Sequence, residues 1–311
     1  MNHSRLLILL LSAFLLTACT NDARRKLVTE APLISQNITD DLGRKINLPN
    51  SVNRMISIAP NITEMIYALG AQDKLIARSQ ACNYPPEVVE LETIMTSPQL
   101  DIEQLKMYEA DLVITTDEVF SSEDIARLEG FDIPVYVQSY KNLKDIYRAA
   151  KNLGAILGVE KKASEVADSL RNLTLRITNE TEKQAKYATL ILISNDPLTV
   201  VGGTGFLNEL IDKAGGKNIF AENGQDYFPT TVEEIIQKKP EYIILPSKNE
   251  QIYAQLLAQY PSLQNTPADI SKQVFLIDPD LIYRPGPRMF QGLLKLTHIL
   301  HSSLNTERFL E

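Results

Sequence analysis

Several residue types are scarce in this chain of 311 residues, and each scarcity argues against a class of protein. Only two cysteines and three histidines are present, which argues against a disulfide scaffold or a zinc site built from Cys and His. Tryptophan is absent, so any aromatic binding surface must use the 12 Tyr and 9 Phe. Acidic residues outnumber basic ones, giving a formal net charge of −8, and this disfavours a nucleic-acid-binding function.

The N-terminal apolar run is too short to span a membrane. It covers residues 6–16 and follows Arg5, whereas a transmembrane helix needs about 20 apolar residues. This pattern is typical of a secretory signal peptide. The following Leu-Thr-Ala-Cys19 resembles the bacterial lipobox, in which the cysteine is acylated and becomes the mature N-terminus. We therefore predict a signal peptide over 1–18, a lipid-anchored tether over 19–37 and an extracytoplasmic, membrane-anchored location.

Strand and helix patterns alternate through the rest of the chain. Residues 54–59 have the pattern of a buried strand, and an amphipathic helix follows with Asn61 at its predicted cap. Glu64 lies three residues later, in the capping-box position. Residues 188–194 predict a second such strand, which a glycine-rich loop over 202–205 connects to another helix. The chain is therefore predicted to be an α/β protein.

Three pairs of segments occur in the same order in the two halves. In the strongest pair, residues 101–114 and 231–244, each segment has a short capped helix followed by a buried strand. The similarity predicts two Rossmann-like α/β lobes, and a Pro-free helical stretch between them predicts one long linking helix. The predicted boundaries are 38–158 for the first lobe, 159–186 for the linking helix and 187–311 for the second lobe.

Motif searches identify no catalytic constellation. The glycine-rich loop lacks the lysine and the spacing of a phosphate-binding loop, and no G-x-S-x-G elbow is present. His298 and His301 are interpreted as surface residues of the last helix, without a predicted metal. The chain is predicted not to be an enzyme and to need no cofactor. An extracytoplasmic cofactor-processing enzyme and a metal-ion-binding protein are the alternatives from other classes.

Two glutamates occupy equivalent positions in the two halves. Glu103 and Glu233 each lie in the first turn of a predicted helix, where the helix dipole alone accounts for an acidic residue. One such carboxylate in each lobe also suits docking to arginine or lysine of a symmetric partner.

The predicted ligand surface consists of loops at strand ends, because open α/β sheets bind ligands beyond the carboxyl ends of their strands. The loops mix aromatic, amide, acidic and arginine side chains, which suits a large and partly polar ligand. The alternative interpretation of Arg284 and Arg288 is that they form salt bridges with Asp278 or Asp280. The predicted ligand-binding residues are Pro60, Asn61, Ala81, Tyr84, Ser97, Tyr227, Phe228, Asp280, Leu281, Ile282, Tyr283, Arg284 and Arg288.

Several segments in both halves of the chain resemble the substrate-binding lipoproteins of ABC importers, in the class that takes up vitamin B12, ferric siderophores and haem. The resemblance covers about residues 54–301. It rests on Ile-Ser-Ile-Ala-Pro-Asn-Ile-Thr-Glu64, Cys-Asn-Tyr-Pro-Pro86, Asp-Ile-Glu103 and Arg-Pro-Gly-Pro-Arg288. It implies the class III periplasmic-binding-protein fold, in which a helical backbone joins the lobes, and a monomer that partners an ABC permease dimer with its ATPase subunits.

The resemblance also implies roles for individual residues. Glu103 and Glu233 match the glutamates that dock on permease arginines in this family. The members that bind vitamin B12 suggest a corrinoid held between the lobes, although Ala81 and Ser97 stand where those members have pocket aromatics. A ferric siderophore or haem is the alternative ligand, with Tyr84 or Tyr283 as the axial ligand of haem.

Overall fold

The structure, a computed structural model, describes residues 36–96 and 100–309. The predicted signal peptide, the predicted lipidation site Cys19 and the predicted ligand residue Ser97 lie outside these described residues. The last two residues of the predicted tether, 36 and 37, belong to the first strand. Within the described part of the chain, no helix is both long enough and apolar enough to cross a lipid bilayer.

The described chain begins with an antiparallel hairpin of β1 (Gln36–Thr39) and β2 (Lys45–Leu48). Gly43 has a φ of +79° in the connecting turn, a conformation that glycine adopts without strain. The Asp41 backbone N–H donates to the Val137 carbonyl at 3.1 Å, which attaches the hairpin to the first lobe.

The first lobe is built on β3 (Met55–Ser57), β4 (Leu75–Ser79), β5 (Glu92–Ile94), β6 (Leu112–Thr116) and β7 (Val135–Gln138), with helices α1 (Pro60–Ala68), α2 (Ile102–Met107) and α3 (Ser122–Glu129). The strands are parallel in the order β5-β4-β3-β6-β7. Strand β6 is buried at all of its positions, as expected for the middle of an enclosed parallel sheet.

Two helices, α4 (Leu143–Leu157) and α5 (Glu160–Thr181), connect the lobes. Asn142 caps α4, and Gly158 ends it with a φ of +70°. A Cβ on Gly154 would lie 2.2 Å from the Cβ of Ala163, so glycine allows the two helices to pack closely. Helix α5 has 22 residues and is therefore about 33 Å long. It ends at Thr181, whose hydroxyl donates to the Lys213 carbonyl, rather than at the predicted position near residue 186.

The second lobe contains β8 (Tyr187–Asn195), β9 (Leu198–Val201), β10 (Gly216–Asn218), β11 (Tyr227–Pro229), β12 (Tyr242–Pro246) and β13 (Val274–Ile277), with helices α6 (Gly205–Lys213), α7 (Val232–Lys238), α8 (Ile252–Gln259), α9 (Pro267–Ile270) and α10 (Met289–Leu300). Its strand order is β11-β9-β8-β12-β13, and β10 also pairs with β8. Strand β9 is antiparallel to β8 and β11, whereas β10, β12 and β13 are parallel to their partners.

The two sheets share one arrangement, as the repeated segments predicted. Strands β3 and β8 are central, and each pairs with a parallel strand that follows the first helix of its lobe, β4 or β10. On the other side of the central strand lie β6 and β7 in the first lobe, and β12 and β13 in the second. The hairpin strand β9 and its partner β11 distinguish the second lobe. The predicted fold class, two α/β lobes with a long helix between them, is confirmed; the long helix is α5, and α4 precedes it in the connection.

One hydrophobic cluster extends through both lobes and the linking helices. It includes Ile62 of α1, Leu153 of α4, Leu207 of α6 and Phe290 of α10, all buried. Each lobe also has a separate cluster of its own. The shared cluster holds the two sheets together by apolar packing in addition to the covalent link. The exact domain boundaries given above remain a prediction.

Candidate ligand site between the lobes

The first side of the site is the N-terminal turn of α1. Ala59 is the N-cap of this helix and makes no side-chain capping hydrogen bond, so the predicted cap at Asn61 is wrong. Asn61 is instead buried, and its Nδ2 donates to the Pro285 carbonyl at 3.3 Å. The cause is tertiary, because a loop of the second lobe contacts this turn and uses the amide.

Glu64 is the centre of the contact between the lobes. Its carboxylate, 2% exposed, accepts hydrogen bonds from Nη2 and Nε of Arg288 at 2.6 and 3.0 Å. It also accepts one from Nη1 of Arg284 at 3.1 Å. The capping-box role predicted for Glu64 is therefore replaced by a two-arginine ion pair. Burial acts to lower the pKa of Arg288, but the hydrogen bonds and charge of Glu64 outweigh it, and the pKa is raised.

The two arginines extend this network along both sides of the cleft. Arg284 donates to the Asn83 Oδ1 at 2.8 Å and pairs with Asp280 at 2.9 Å, as the alternative interpretation predicted for this arginine. The Arg288 guanidinium carbon lies 4.0 Å from the centre of the Tyr84 ring, a cation–π geometry. Arg284 therefore contacts groups of both lobes. Arg288, which belongs to the second lobe, contacts Glu64 and Tyr84 of the first.

The loop that carries these arginines is held close to α1. Pro285 and Pro287 restrict its backbone, and a Cβ on Gly286 would lie 3.1 Å from the Asn61 carbonyl oxygen. Glycine at this position therefore allows the second lobe to approach α1 closely.

Acidic and phenolic groups from both lobes converge at a second part of the cleft. Burial raises the pKa of Tyr227, with contributions from the charges of Glu118 and Asp226. Burial, Asp117 and Asp226 likewise raise the pKa of Glu118, which follows β6 in the first lobe. Glu118 and Tyr227 are thus close enough for their charges to interact, and both keep more than a third of their surface exposed.

Tyr283 lies next to this group, since its hydroxyl contributes to the raised pKa of Tyr227. The Tyr283 hydroxyl is buried and has no hydrogen-bond partner among the described residues. Burial raises its pKa to about 12. A buried hydroxyl without a partner is costly, so Tyr283 is a candidate for a ligand contact.

Most of the chain matches one protein family. The model of a family described as periplasmic binding protein matches residues 55–281. The chain belongs to this family. A vitamin B12-binding protein of Vibrio parahaemolyticus is 28% identical over 79% of this chain and 88% of its own length. An uncharacterized ABC transporter substrate-binding lipoprotein of Bacillus subtilis, YvrC, is 25% identical over 94% of this chain and 95% of its own.

A solved structure gives the same architecture. A periplasmic heme-binding protein from Pseudomonas aeruginosa superimposes with a TM-score of 0.72 and 25% identity, covering 82% of this chain and 94% of that protein. The relatives of this periplasmic binding protein are substrate-binding proteins rather than enzymes, and members of the family partner ABC permeases and ATPases.

The structure separates the predicted ligand residues of this periplasmic binding protein into two groups. Tyr84, Tyr227, Asp280, Tyr283, Arg284 and Arg288 lie in the networks described above, and Asn61 supports them. Of the others, Pro60 begins α1, and Ala81 is exposed. Phe228 and Ile282 are buried in the core, and Leu281 packs against it.

Sequence reasoning missed three residues of the site. Glu118 lies two residues beyond the end of β6, so the rule that ligands bind beyond the carboxyl ends of strands could have found it. Asn83 lies in a loop that contained predicted residues. The role of Glu64 gave no local signal, because both of its partners are more than 200 residues away in sequence.

Cys82, His298 and His301 lie in different surroundings. Cys82 is fully buried, and its Sγ contacts the hydroxyls of Thr63 and Ser79 at 3.1 and 3.3 Å. His298 is exposed, but the surface interpretation is wrong for His301, which is buried with Nε2 3.3 Å from the Gly215 carbonyl. Burial lowers its pKa. Among the described residues, no three or more Cys, His, Asp or Glu side chains are grouped to hold a metal ion.

The two glutamates with a predicted docking role occupy equivalent places. Glu103 is the second residue of α2, and Glu233 is the second residue of α7; both are exposed. Each helix has a side-chain cap, with Asp101 accepting from the Gln104 N–H and Thr231 from the Glu234 N–H. The repeated architecture therefore presents one carboxylate on each lobe in the same local setting.

Proposed function

We propose that this periplasmic binding protein captures a corrinoid between its lobes and delivers it to an ABC importer. The observation that carries the proposal is the chemistry of the cleft. Both arginines are already neutralised by Glu64 and Asp280, while Glu118, Asn83 and the exposed tyrosines offer acceptors and ring faces. A corrinoid has a broad ring with neutral carboxamides, which such acceptors bind. Similarity to the vitamin B12-binding protein of Vibrio parahaemolyticus supports the same ligand.

The test is a set of parallel titrations. The chain from Thr20 onward is purified without added ligand and titrated by calorimetry with cyanocobalamin, haem and a ferric siderophore. We expect saturable, one-to-one binding of cyanocobalamin and weaker binding of the other two. Lack of saturable cyanocobalamin binding would overturn the proposal.

Haem is the second proposed ligand, and one observation favours it. The buried, unpartnered hydroxyl of Tyr283 lies beside Tyr227, and a tyrosine phenolate is a known type of haem-iron ligand. The similarity to a periplasmic heme-binding protein is consistent with this choice. A Soret shift on haem addition that disappears in Tyr283→Phe would support haem over a corrinoid.

We also propose a lipid-anchored, monomeric protein that is extracytoplasmic and has the lobe boundaries 38–158, 159–186 and 187–311. The cysteine in the lipobox pattern supports acylation at Cys19, and a relative is a substrate-binding lipoprotein. Glu103 and Glu233 are proposed to dock on the permease, because they occupy equivalent exposed places in the two lobes. Mass spectrometry of the membrane-extracted protein tests the anchor, since Cys19→Ser removes both the acyl mass and the membrane attachment.

A further inference from the structure

A groove of about 590 Å³ lies between the two linking helices and helix α6. None of the residues described for the cleft lines it. Leu143 of α4, Ala167 of α5 and Lys213 of α6 belong to its lining. Its volume is within the range of small-molecule sites, roughly 300–1,000 Å³.

The charge of this groove is opposite to that of the whole chain. The chain has a net charge of −8, but five basic side chains line the groove with only two carboxylates. The basic residues are Lys144, Arg148, Lys151, Arg171 and Lys213. Both carboxylates are engaged: Asp168 lies 3.7 Å from Lys151, and Glu209 accepts the Leu143 N–H at 2.8 Å.

Three of the basic side chains remain available to a ligand. Lys144 and Arg171 have no carboxylate within ion-pairing distance among the described residues, and Lys213 has only its neighbour Asp212, at 3.8 Å. Arg148, in contrast, is held by Asp41 and Asp145. Three available cations from three helices suit a ligand group with two negative charges, such as a phosphate ester.

The groove also has apolar and hydroxyl groups. Leu175 is 49% exposed at its edge, although it is a large apolar side chain. Tyr147 packs against Phe290 with ring centres 5.9 Å apart, and its hydroxyl lies 2.9 Å from that of Thr174. Burial raises the pKa of Tyr147, and the charge of Arg171, which lines the same groove, opposes this rise. The Thr174 hydroxyl donates to the Leu170 carbonyl at 3.0 Å and accepts from Tyr147, so these hydroxyls are satisfied within the protein. An anion bound by Arg171 would have an apolar surface beside it.

We propose that this groove is a second binding site, which accepts a phosphate ester attached to an apolar group. Arg171, Lys144 and Lys213 bind the phosphate, and Tyr147 and Leu175 contact the apolar part. An anionic phospholipid and a soluble organic phosphate share this chemistry. The site is independent of the corrinoid cleft.

The experiment uses the chain from Thr20 onward, which lacks the predicted lipid anchor. Octyl phosphate, inorganic phosphate and octyl glucoside are titrated by calorimetry at low and at physiological ionic strength. We expect saturable binding of octyl phosphate that weakens with salt, and binding of the other two that is about tenfold weaker or more. Absence of saturable octyl phosphate binding overturns the proposal. Equal affinities for inorganic phosphate and octyl phosphate would show that the groove does not bind the apolar chain, and would overturn that part of the proposal.

Two variants identify the site. Arg171→Gln should weaken octyl phosphate about tenfold, whereas Arg176→Gln, an exposed arginine of the same helix outside the groove, should not. An unchanged affinity in Arg171→Gln overturns the assignment. Cyanocobalamin affinity and melting temperature should be the same in both variants, which separates this test from that of the cleft.

Vesicles then distinguish the two sources of the phosphate ester. Binding to phosphatidylglycerol vesicles that is lost in Arg171→Gln supports a membrane lipid. Octyl phosphate binding without any vesicle binding supports a soluble organic phosphate. Vesicle binding that Arg171→Gln and Arg176→Gln weaken equally assigns the attraction to general surface charge and overturns the membrane reading of the groove.

Discussion

Glu64 in the first lobe and Arg288 in the second form two parallel hydrogen bonds, Nη2 to Oε1 at 2.6 Å and Nε to Oε2 at 3.0 Å. The carboxylate is 2% exposed and the guanidinium side chain 12% exposed, so neither partner can be solvated well if the other is lost. Arg284 shares the same carboxylate. The ion-pair network between the lobes is therefore centred on one buried acid.

Glu64→Gln should destabilise the protein by about 3 kcal/mol, because it leaves the largely buried Arg288 without its counter-charge and Arg284 with Asp280 alone. The melting temperature should fall by roughly 5–10 °C. Glu103→Gln, an exposed glutamate, is the matched control and should change stability by less than about 0.5 kcal/mol. Similar melting temperatures for the two variants would show that the ion pair contributes little.

Tyr283→Phe should have opposite effects on stability and binding. Removing a buried hydroxyl without a partner should leave the free protein as stable, or more stable by about 1 kcal/mol. If the hydroxyl bonds the ligand, affinity should fall about tenfold. Tyr253→Phe is the control, because its hydroxyl donates to Asp269 at 2.6 Å away from the cleft. That variant should lose about 1 kcal/mol of stability and keep its affinity.

Glu118→Gln should raise the melting temperature at neutral pH. The pKa of Glu118 is raised above its ordinary value of 4.5 by burial, Asp117 and Asp226, so its ionised form is the less favourable one in the folded state. Glu118 therefore stabilises the fold fully only below 4.5, and this stability is lost as the pH rises through the raised pKa. The advantage of the glutamine variant should disappear as the pH falls towards 4.5.

The measurement is the melting temperature of Glu118→Gln minus that of the parent protein across this pH range. Glu90→Gln, an exposed glutamate at the end of a short 3-10 helix, is the control and should show a flat difference. An advantage that grows on acidification would have the wrong sign and would exclude the proposed origin of the shift.

The double variant Glu103→Ala, Glu233→Ala should abolish ligand uptake in cells while leaving ligand affinity unchanged. Both carboxylates are exposed, and neither contacts the cleft network. Glu123→Ala is a matched control, because Glu123 is also an exposed second residue of a helix, α3. It should transport normally. Parallel loss of affinity in the double variant would indicate a role in the pocket or in folding instead.

The sequence predicted those features that depend on neighbouring residues. The capped helices α2 and α7 and the buried run of β6 follow from local chemistry and periodicity. The match of segments 101–114 and 231–244 predicted that α2 and α7 are equivalent, and the fold confirms it.

The remaining features depend on contacts between distant segments. Asn61 and Glu64 have the local signature of a helix start, yet the second lobe supplies their partners. The burial of His301 depends on Gly215, where a Cβ would lie 2.3 Å from the imidazole nitrogen. The convergence of Glu118 and Tyr227 requires knowledge of how the two sheets face each other, which no single segment contains.

The apolar cluster common to both lobes bears on how the molecule loses its structure. Because Ile62, Leu153 and Phe290 share one interior, neither half can melt without exposing the interior of the other. Calorimetry should therefore record one endotherm rather than two. A ligand that enters from solvent then meets two lobes that are already packed together. Little of its binding free energy is therefore used to bring the lobes together.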